Sequence, residues 1–265
     1  MKSSANSPHS FLHFASLCHV PHLQHSVTTR GGGTSEGPYA SLNLGYHVGD
    51  DAARVTENRR YLAAALGYDA DSVVAAQQVH GAQSHVVTAD MRGRGALDWH
   101  SAPPSTDALI VQERQLPVMI LVADCSPLLL VDPVQRVLAV VHAGWRGAVA
   151  GITSLTVERM QRDFSSSPSE ILAGIGPCLC AACFEIGPEV AEAAAIIAPE
   201  AVQQGQAKPH LDLRALTHSD LQRAGVLEPH IETMLHCPRC EPETFFSHRG
   251  QNGVAGRFGL VAWWQ

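Results

Sequence analysis

The sequence predicts a single α/β domain with more strands than a simple series of parallel strand–helix–strand units would supply. Three observations support this fold class. Short apolar runs typical of buried strands recur along the chain, and segments with helix start and stop signals lie between them. No linker or internal repeat divides the 265 residues, a length that one large domain can reach.

Residues 1–22 are rich in Ser and His and are predicted to form a poorly ordered N-terminal tail, followed by a single domain over 23–265. A short strand is expected at 27–29, ahead of Arg30 and a glycine run. The segment 31–49 contains many turn-forming residues and is predicted as a long loop. Loops of that length in a compact domain tend to be functional.

The remaining elements follow from apolar spacing and turn residues. Residues 51–66 are typical of a helix with one apolar side, and Gly67 ends it. Residues 148–163 are predicted as one helix, although Gly151 disfavours it. Further helices are predicted at 188–195 and 212–224, and strands at 73–74, 86–88, 106–111, 118–122, 128–131, 137–141, 171–176 and 258–264.

Composition and charge argue against several kinds of partner. The net charge of −7 disfavours a nucleic-acid-binding surface, and no apolar stretch approaches the roughly 20 residues of a membrane span. Seven cysteines, an odd number in a long chain, favour reduced thiols over a disulfide framework. His13 interrupts the N-terminal apolar run, which is not typical of a signal peptide. We therefore expect a cytoplasmic protein that acts on small molecules.

The segment 140–147, Val-Val-His-Ala-Gly-Trp-Arg-Gly, is the most informative stretch. It places His142 at the end of a buried strand, beside a glycine-rich turn that leaves backbone open to a ligand. Another apolar run leads to Cys125, and His80 follows strand-like residues further upstream. One cysteine and two histidines are a ligand set that suits zinc.

These three residues are widely separated, whereas a structural zinc site usually recruits four side chains, often through close Cys-x-x-Cys pairs. With a fourth position open, His80, Cys125 and His142 would suit a catalytic metal that activates water. The pattern alone fits equally well with a buried Cys125 thiol and two histidines that cap strands.

Five further cysteines lie in two other segments. Cys237 and Cys240 form a Cys-x-x-Cys pair, but no second pair lies at the spacing of a zinc finger. Incidental loop thiols are therefore favoured over a five-thiol metal cluster, which a content of two metals per chain would support. The five residues are Cys178, Cys180, Cys183, Cys237 and Cys240.

Several polar residues are candidates for substrate contacts. Arg30 lies where a predicted strand enters a glycine-rich loop, a setting for an oxyanion or phosphate clamp, although a solvated surface arginine is the simpler interpretation. Arg146 and Arg249 also lie beside glycine. Strand alternation directs Asp124 away from the face of Cys125, where it would anchor a histidine or cap a loop.

An ordered set of short motifs covers about residues 27–264. They are Thr-Thr-Arg-Gly-Gly at 28–32, Gly-Pro-Tyr-Ala-Ser-Leu-Asn-Leu-Gly at 37–45, His-Val-Gly-Asp at 47–50, Gln-Val-His-Gly at 78–81, Ala-Asp-Cys at 123–125, His-Ala-Gly-Trp-Arg-Gly at 142–147, Gly-Pro at 176–177, Phe-Glu-Ile-Gly at 184–187, Asp-Leu at 212–213, Phe-Phe-Ser at 245–247 and Gly-Arg at 256–257. The set resembles the YfiH-type family, also called the laccase-domain or polyphenol-oxidase-like family. Ser126, His248 and Gly250 depart from the family pattern, and the change near His248 could alter substrate preference.

The resemblance implies an α/β/β/α sandwich of two mixed sheets with helices outside. It implies that His80, Cys125 and His142 are the catalytic residues and hold the family's metal, usually taken as zinc, with copper as the alternative. The implied activity is phosphorolysis of purine nucleosides, namely adenosine, inosine and S-methyl-5′-thioadenosine, together with deamination of adenosine. The residues expected to bind the nucleoside and phosphate are Arg30, Asn43, Arg146 and Arg249.

Other functions stay open at this point. Cys125 could be the nucleophile of a metal-free hydrolase, with His142 or His80 as its base. A peptidoglycan-precursor editing factor, a non-enzymatic interaction factor and a copper-dependent laccase are further alternatives; the last needs many histidines around several coppers. Candidates for the general acid or base are Asp124, Glu185 and His248. The sequence predicts no oligomeric state.

Overall fold

The computed structural model describes residues 11–204 and 207–265. None of the helices in these ranges is long and apolar enough to span a membrane. The helices are α1 (Ala52–Leu66), α2 (Trp145–Val149), α3 (Ile152–Phe164), α4 (Pro188–Ile197) and α5 (Leu213–Arg223). The strands are β1 (Leu23–Val27), β2 (Val74–Ala75), β3 (Ser84–Val87), β4 (Ala108–Val111), β5 (Val118–Val122), β6 (Ser126–Asp132), β7 (Val137–Ala143), β8 (Leu172–Ile175), β9 (Val202–Gln203), β10 (His210–Leu211), β11 (Ile231–Thr233) and β12 (Phe258–Trp264).

Two mixed sheets form the centre of the fold. A four-stranded sheet has the order β1-β12-β5-β2, with only the β2–β5 pair parallel. A six-stranded sheet has the order β11-β8-β6-β7-β4-β3, in which the two outermost pairs are parallel and the inner pairs antiparallel. The chain passes from the first sheet to the second between β5 and β6, a link that contains Cys125.

The two sheets pack face to face, and the largest core cluster lies between them. Ile120 and Leu260 of the four-stranded sheet belong to the same cluster as Leu129 and Val140 of the six-stranded sheet. Successive strand side chains point to opposite faces, so the intervening residues form separate clusters on the outer faces. The central strands are buried along their whole length, which explains their nearly continuous apolar sequences.

Helices cover both outer faces. Ile110 of the six-stranded sheet clusters with Val157 of α3, and Leu121 of the four-stranded sheet clusters with Leu62 of α1. The predicted four-layer α/β/β/α sandwich with mixed sheets is confirmed. The predicted helix at 51–66 is also confirmed: the Asp51 side chain accepts a hydrogen bond from the Ala53 N–H, and α1 ends at a left-handed Gly67.

The single helix predicted at 148–163 is wrong. Gly151 has a φ of +75° and separates α2 from α3, because a left-handed residue cannot continue a right-handed helix. The strand predicted at 27–29 is also shifted. Pairing with β12 places it earlier, with Leu23 opposite Trp264 and Val27 opposite Leu260.

The predicted tail over residues 1–22 is ordered from residue 11 onwards, and residues 1–10 lie outside the described residues. The Phe14 and Leu17 side chains are fully buried in the core between the sheets. Phe14 packs against Gly174 of β8 so closely that a methyl group there would meet its ring at 2.6 Å. Burial of apolar surface therefore outweighs the polar composition on which the prediction rested.

Candidate metal centre and cavity

The structure brings His80, Cys125 and His142 together. Cys125 lies in the link between the two sheets, His142 lies on β7 opposite Pro127, and His80 lies in the loop between β2 and β3. One ligand atom from each residue lies within 4.8 Å of the others. His142 is almost completely buried and His80 is exposed, so the group is open to solvent on one side.

Asp107 holds two of these residues in place. Its buried carboxylate lies 2.8 Å from Nδ1 of His142 and accepts backbone N–H groups of Val79, His80 and Gly81 at 3.2, 2.9 and 2.8 Å. Burial raises the pKa of the Asp107 carboxyl, but His142 and these N–H groups outweigh it and lower the pKa overall. Sequence reasoning missed Asp107; the available signal was an acidic residue at the start of an otherwise apolar strand.

The glycines of the 142–147 motif are required by close packing. A Cβ atom on Gly144 would lie 3.0 Å from Sγ of Cys125 and 3.1 Å from the His80 ring. A Cβ atom on Gly147 would lie 2.6 Å from the carbonyl oxygen of Gly81. The absence of both side chains therefore lets α2 approach the histidine loop and the thiol.

Asp124 caps a loop and does not anchor a histidine. It has a φ of +92°, and its carboxylate accepts the Ser247 hydroxyl and the Arg249 N–H, each at 2.6 Å. Burial raises the pKa of Asp124, and these hydrogen bonds only partly oppose the shift. The anchoring role that the sequence offered to Asp124 belongs to Asp107.

Cys125 and His142 change each other's protonation. Burial raises the pKa of the thiol, but the charges and hydrogen bonds of His142 and His80 reverse this and lower it. Burial lowers the pKa of His142, but Cys125 and Asp107 reverse this and raise it. The two residues thus favour a thiolate at Cys125, which is the form of cysteine that binds metals.

The donor set fits a metal ion. Two imidazoles and one thiolate, with room for a further ligand, match the composition of catalytic zinc sites, and soft sulfur also suits copper. The carboxylate that fixes His142 is the kind of partner that metal-bound histidines usually have.

A cavity of about 320 Å³ opens over these residues. Trp145 and Phe184 contribute aromatic surface, and Leu179 and Leu213 contribute aliphatic surface. Three arginines line the same cavity, namely Arg146, Arg249 and Arg257. A volume above 300 Å³ with an apolar wall and a few charged groups is typical of a small-molecule site.

The predicted substrate residues fall into two groups. Arg146 and Arg249 line the cavity, whereas Arg30 and Asn43 are not among its lining residues. Arg30 donates to the carbonyl oxygens of Ala40 and Pro242 at 2.8 and 2.7 Å and lies over the Phe246 ring. These contacts hold the guanidinium in the fold, and phosphate binding by Arg30 stays a prediction.

Asn43 does not line the cavity but contacts a residue that does. It is fully buried, and its Oδ1 atom accepts the backbone N–H of Arg257 at 2.8 Å. Arg257 and His47 line the cavity but were not predicted as site residues, although both lie in the quoted motifs. Reduced access to water and the charges of Arg257 and Arg59 lower the pKa of His47, so it is neutral at pH 7.

Of two further candidates for the general acid or base, the structure places only one at the cavity. His248 lines the cavity. Glu185 does not, and its carboxylate pairs with Lys208 at 2.8 Å on the surface.

Four of the five loop cysteines, for which incidental thiols were the favoured interpretation, converge in the structure. The ligand atoms of Cys180, Cys183, Cys237 and Cys240 lie within 4.8 Å of one another, and Cys178 is not in this group. Cys180 and Cys183 form a second Cys-x-x-Cys pair. It lies too far in the sequence from Cys237 and Cys240 for a zinc finger, but the fold brings the two pairs together.

Residues 24–265 match the family model described as multi-copper polyphenol oxidoreductase laccase. Purine nucleoside phosphorylase YlmD of Geobacillus stearothermophilus is 37% identical over 236 residues, which cover 87% of this chain and 86% of that protein. Adenosine deaminase RL5 from an unknown prokaryotic organism is 38% identical over 235 residues, which cover 87% of this chain and 89% of that protein.

Solved structures share the whole fold. The crystal structure of YlmD from Geobacillus stearothermophilus has a TM-score of 0.90 and 35% identity and covers 93% of each chain. The Bacillus licheniformis hypothetical protein YfiH has a TM-score of 0.93 and 30% identity, and covers 98% of this chain and 100% of that one. The chain therefore belongs to the multi-copper polyphenol oxidoreductase laccase family, the YfiH-type family that its motifs resemble.

Proposed function

We propose that this protein is a zinc-dependent purine nucleoside phosphorylase that also deaminates adenosine, with adenosine, inosine and S-methyl-5′-thioadenosine as its nucleosides. The observation that carries the proposal is the convergence of His80, Cys125 and His142 on a cavity of about 320 Å³ that three arginines line. Relatives named purine nucleoside phosphorylase and adenosine deaminase support the same reaction class.

The charge of the cavity supports an anionic co-substrate. Arg146, Arg249 and Arg257 line it, and the carboxylate of Asp124 is engaged by Ser247 and the Arg249 backbone. The whole chain carries a net charge of −7, so the three arginines at the cavity are opposite in sign to the charge of the protein as a whole. Guanidinium groups bind phosphate through charge-assisted hydrogen bonds, and we assign the phosphate to these residues.

The apolar wall supports binding of a purine base. Trp145 and Phe184 offer flat aromatic surface, with arginine guanidinium groups 4.3 and 5.5 Å from their ring centroids. Purines stack well on such surfaces, and Leu179 and Leu213 extend the apolar contact. The base and phosphate would thus occupy adjoining parts of one cavity.

His80, Cys125 and His142 would hold the zinc ion. When bound, the ion would supply Lewis-acid chemistry, orienting phosphate for phosphorolysis and activating water for deamination. Asp107 fixes the His142 ring through Nδ1 and so leaves Nε2 for the metal. The three N–H bonds from the His80 loop to the same carboxylate hold His80 at the site.

A proton donor near the base is needed because the purine leaves with a proton. Asp124 and His248 line the cavity and Glu185 does not, which favours the first two. Burial raises the pKa of Asp124, and a raised pKa makes a carboxyl group a better proton donor near neutral pH. Asp124, positioned by Ser247 and the Arg249 N–H, and His248 are the two candidates for the general acid.

Incubation of the purified protein with adenosine or inosine, with and without phosphate, tests the proposal. Free base and ribose 1-phosphate should form only with phosphate, and inosine should form from adenosine without it. Cys125→Ala should abolish both reactions, whereas Cys18→Ser, a change at an exposed thiol outside the site, should not. A Cys125→Ala variant with wild-type turnover would overturn the assignment.

A second candidate is a hydrolase in which Cys125 is the nucleophile. The hydrogen bonds from Cys125 to His142 and from His142 to Asp107 favour it. A thiol, a base and an orienting carboxylate are the usual arrangement for a nucleophilic cysteine. Such an enzyme would need no metal. Full activity after metal removal, lost on alkylation of Cys125, would establish this candidate and exclude the zinc enzyme.

The laccase reaction in the family's description receives less support from the residues. A multicopper oxidase needs several copper sites rich in histidine. In the described residues, two groups of metal-binding side chains converge, and one of them contains only cysteine.

A further inference from the structure

We propose that Cys180, Cys183, Cys237 and Cys240 bind a second zinc ion, which has a structural role and is separate from the site at Cys125. Two Cys-x-x-Cys pairs supply the ligands. Cys180 and Cys183 lie in the loop between β8 and α4, and Cys237 and Cys240 lie in the loop that follows β11. The ion would thus join two loops that are far apart in sequence.

The sulfur atoms have the spacing of a tetrahedral site. Four thiolates about 2.3 Å from one zinc ion are separated from one another by about 3.8 Å. In the structure, Sγ of Cys240 lies 3.4 Å from Sγ of Cys183 and 3.9 Å from Sγ of Cys180. All four sulfur atoms lie within 4.8 Å of one another. These distances are far longer than a disulfide bond of about 2.05 Å, and all four cysteines are free thiols.

Both pairs lie in turns that direct their thiols toward each other. The Cys183 N–H donates to the Cys180 carbonyl at 2.9 Å, and the Cys240 N–H donates to the Cys237 carbonyl at 3.0 Å. The Cys180 N–H also donates to Sγ of Cys237 at 3.4 Å. Backbone N–H groups that donate to sulfur are typical of the surroundings of zinc thiolates.

Neighbouring side chains hold the two loops in this arrangement. The Glu241 carboxylate accepts the Cys237 N–H at 3.1 Å and pairs with His236 at 2.8 Å. The Arg239 guanidinium donates to the carbonyl oxygen of Cys183 at 3.2 Å and so bridges the loops. Cys237 is buried, and Cys240 is exposed, so a metal ion can enter from the solvent side.

The donor chemistry selects zinc and separates the two sites. Four cysteine ligands in a closed tetrahedron characterise structural zinc sites, whereas two histidines and one cysteine leave a position for a substrate. The two loops also carry Phe184 and Arg249 of the cavity, and the Arg249 guanidinium lies 5.5 Å from the Phe184 ring centroid. The second ion would therefore stabilise one wall of the cavity.

Zinc content and X-ray absorption of the purified full chain test this inference. The wild type and Cys18→Ser should hold two zinc ions per chain, and Cys125→Ala should hold one. Zinc in the Cys125→Ala protein should have a first shell of four sulfur atoms at about 2.3 Å. The double variant Cys183→Ser with Cys240→Ser should lose one ion and keep the one at Cys125.

Three results would overturn the inference: a Cys125→Ala protein without zinc or with iron in its place, disulfides between these cysteines in freshly purified protein, or a double variant that keeps the wild-type zinc content. If the double variant does not fold, the Cys125→Ala spectrum decides alone. Nucleoside turnover does not enter this measurement, so failure of the proposed function would be seen separately.

Discussion

Oδ1 of Asp107 lies 2.8 Å from Nδ1 of His142, with both side chains almost completely buried, and the same carboxylate accepts three N–H groups of the loop that carries His80. One acidic side chain therefore positions two of the three proposed zinc ligands. Replacing it should disturb the metal without removing a ligand.

Asp107→Asn should lower the affinity for zinc about 10- to 100-fold, the usual effect of losing a carboxylate behind a ligand histidine. Competition against a chromophoric chelator measures this affinity. Asp163→Asn on α3, where the carboxylate pairs with Arg159 and Arg162, is the matched control and should leave it unchanged. Wild-type zinc affinity in Asp107→Asn would show that the carboxylate does not support the site.

Gly144→Ala should weaken zinc binding and nucleoside turnover while the fold is kept. Its new methyl group would lie 3.0 Å from the Cys125 sulfur and 3.1 Å from the His80 ring, so both ligands would have to move. Gly81→Ala is the control, because its methyl group would meet its nearest neighbours at an ordinary 3.5 Å. Zinc titration and thermal unfolding distinguish the two variants, and equal zinc affinity in both would contradict the packing argument.

Arg249→Met should raise the KM for phosphate by about 10- to 100-fold, since a hydrogen bond to a charged group contributes roughly 1.5–3 kcal/mol. Steady-state kinetics with varied phosphate measure it. Arg30→Met should lower stability through loss of the contacts with Ala40 and Pro242, with the KM for phosphate unchanged. The opposite result, a large KM effect at Arg30 and none at Arg249, would return the phosphate to the residue that the sequence suggested.

Acid should destabilise the fold through His25. Burial, and then the charge of His13, lower the pKa of His25 to about 4, against an ordinary 6.5, although Glu232 opposes the shift. The unfolded chain binds a proton below pH 6.5 and the folded chain does not until about pH 4, so stability is lost as pH falls through this window. The full shift corresponds to about 3 kcal/mol at most.

Urea unfolding at pH 7 and at pH 4.5 measures this loss. His25→Gln should reduce the difference between the two free energies of unfolding, because the variant has no proton to bind there. His19→Gln, at an exposed position, should keep the wild-type difference. An unchanged pH dependence in His25→Gln would show that another group controls acid unfolding.

The single α/β domain and the three candidate ligands were predictable because both leave local patterns, whereas the sandwich was implied only by the resemblance to the YfiH-type family. Buried strands give apolar runs, and His142 and Cys125 follow such runs directly. Local patterns do not predict the contacts of Arg30 and Asp107. The contacts of Arg30 come from Ala40 and Pro242, and those of Asp107 from the His80 loop and from His142, all of them set by tertiary folding.

The packing of the N-terminal segment and the convergence of the cysteine loops were not predicted, for a related reason. Phe14 and Leu17 lie in a polar stretch, and only the presence of Gly174 and the inter-sheet core shows where they pack. The two Cys-x-x-Cys pairs have identical internal spacing, which is a usable signal. The distance between the pairs in the sequence hid this signal, since two helices and three strands lie between them.

The proposed function requires that zinc held by His80, Cys125 and His142 supports purine nucleoside chemistry. Inosine phosphorolysis by metal-stripped protein, followed as zinc is added back, tests it most directly. Turnover should be absent without metal and should recover with added zinc in the wild type but not in Cys125→Ala. Metal-stripped protein that turns over inosine at the full wild-type rate would contradict it.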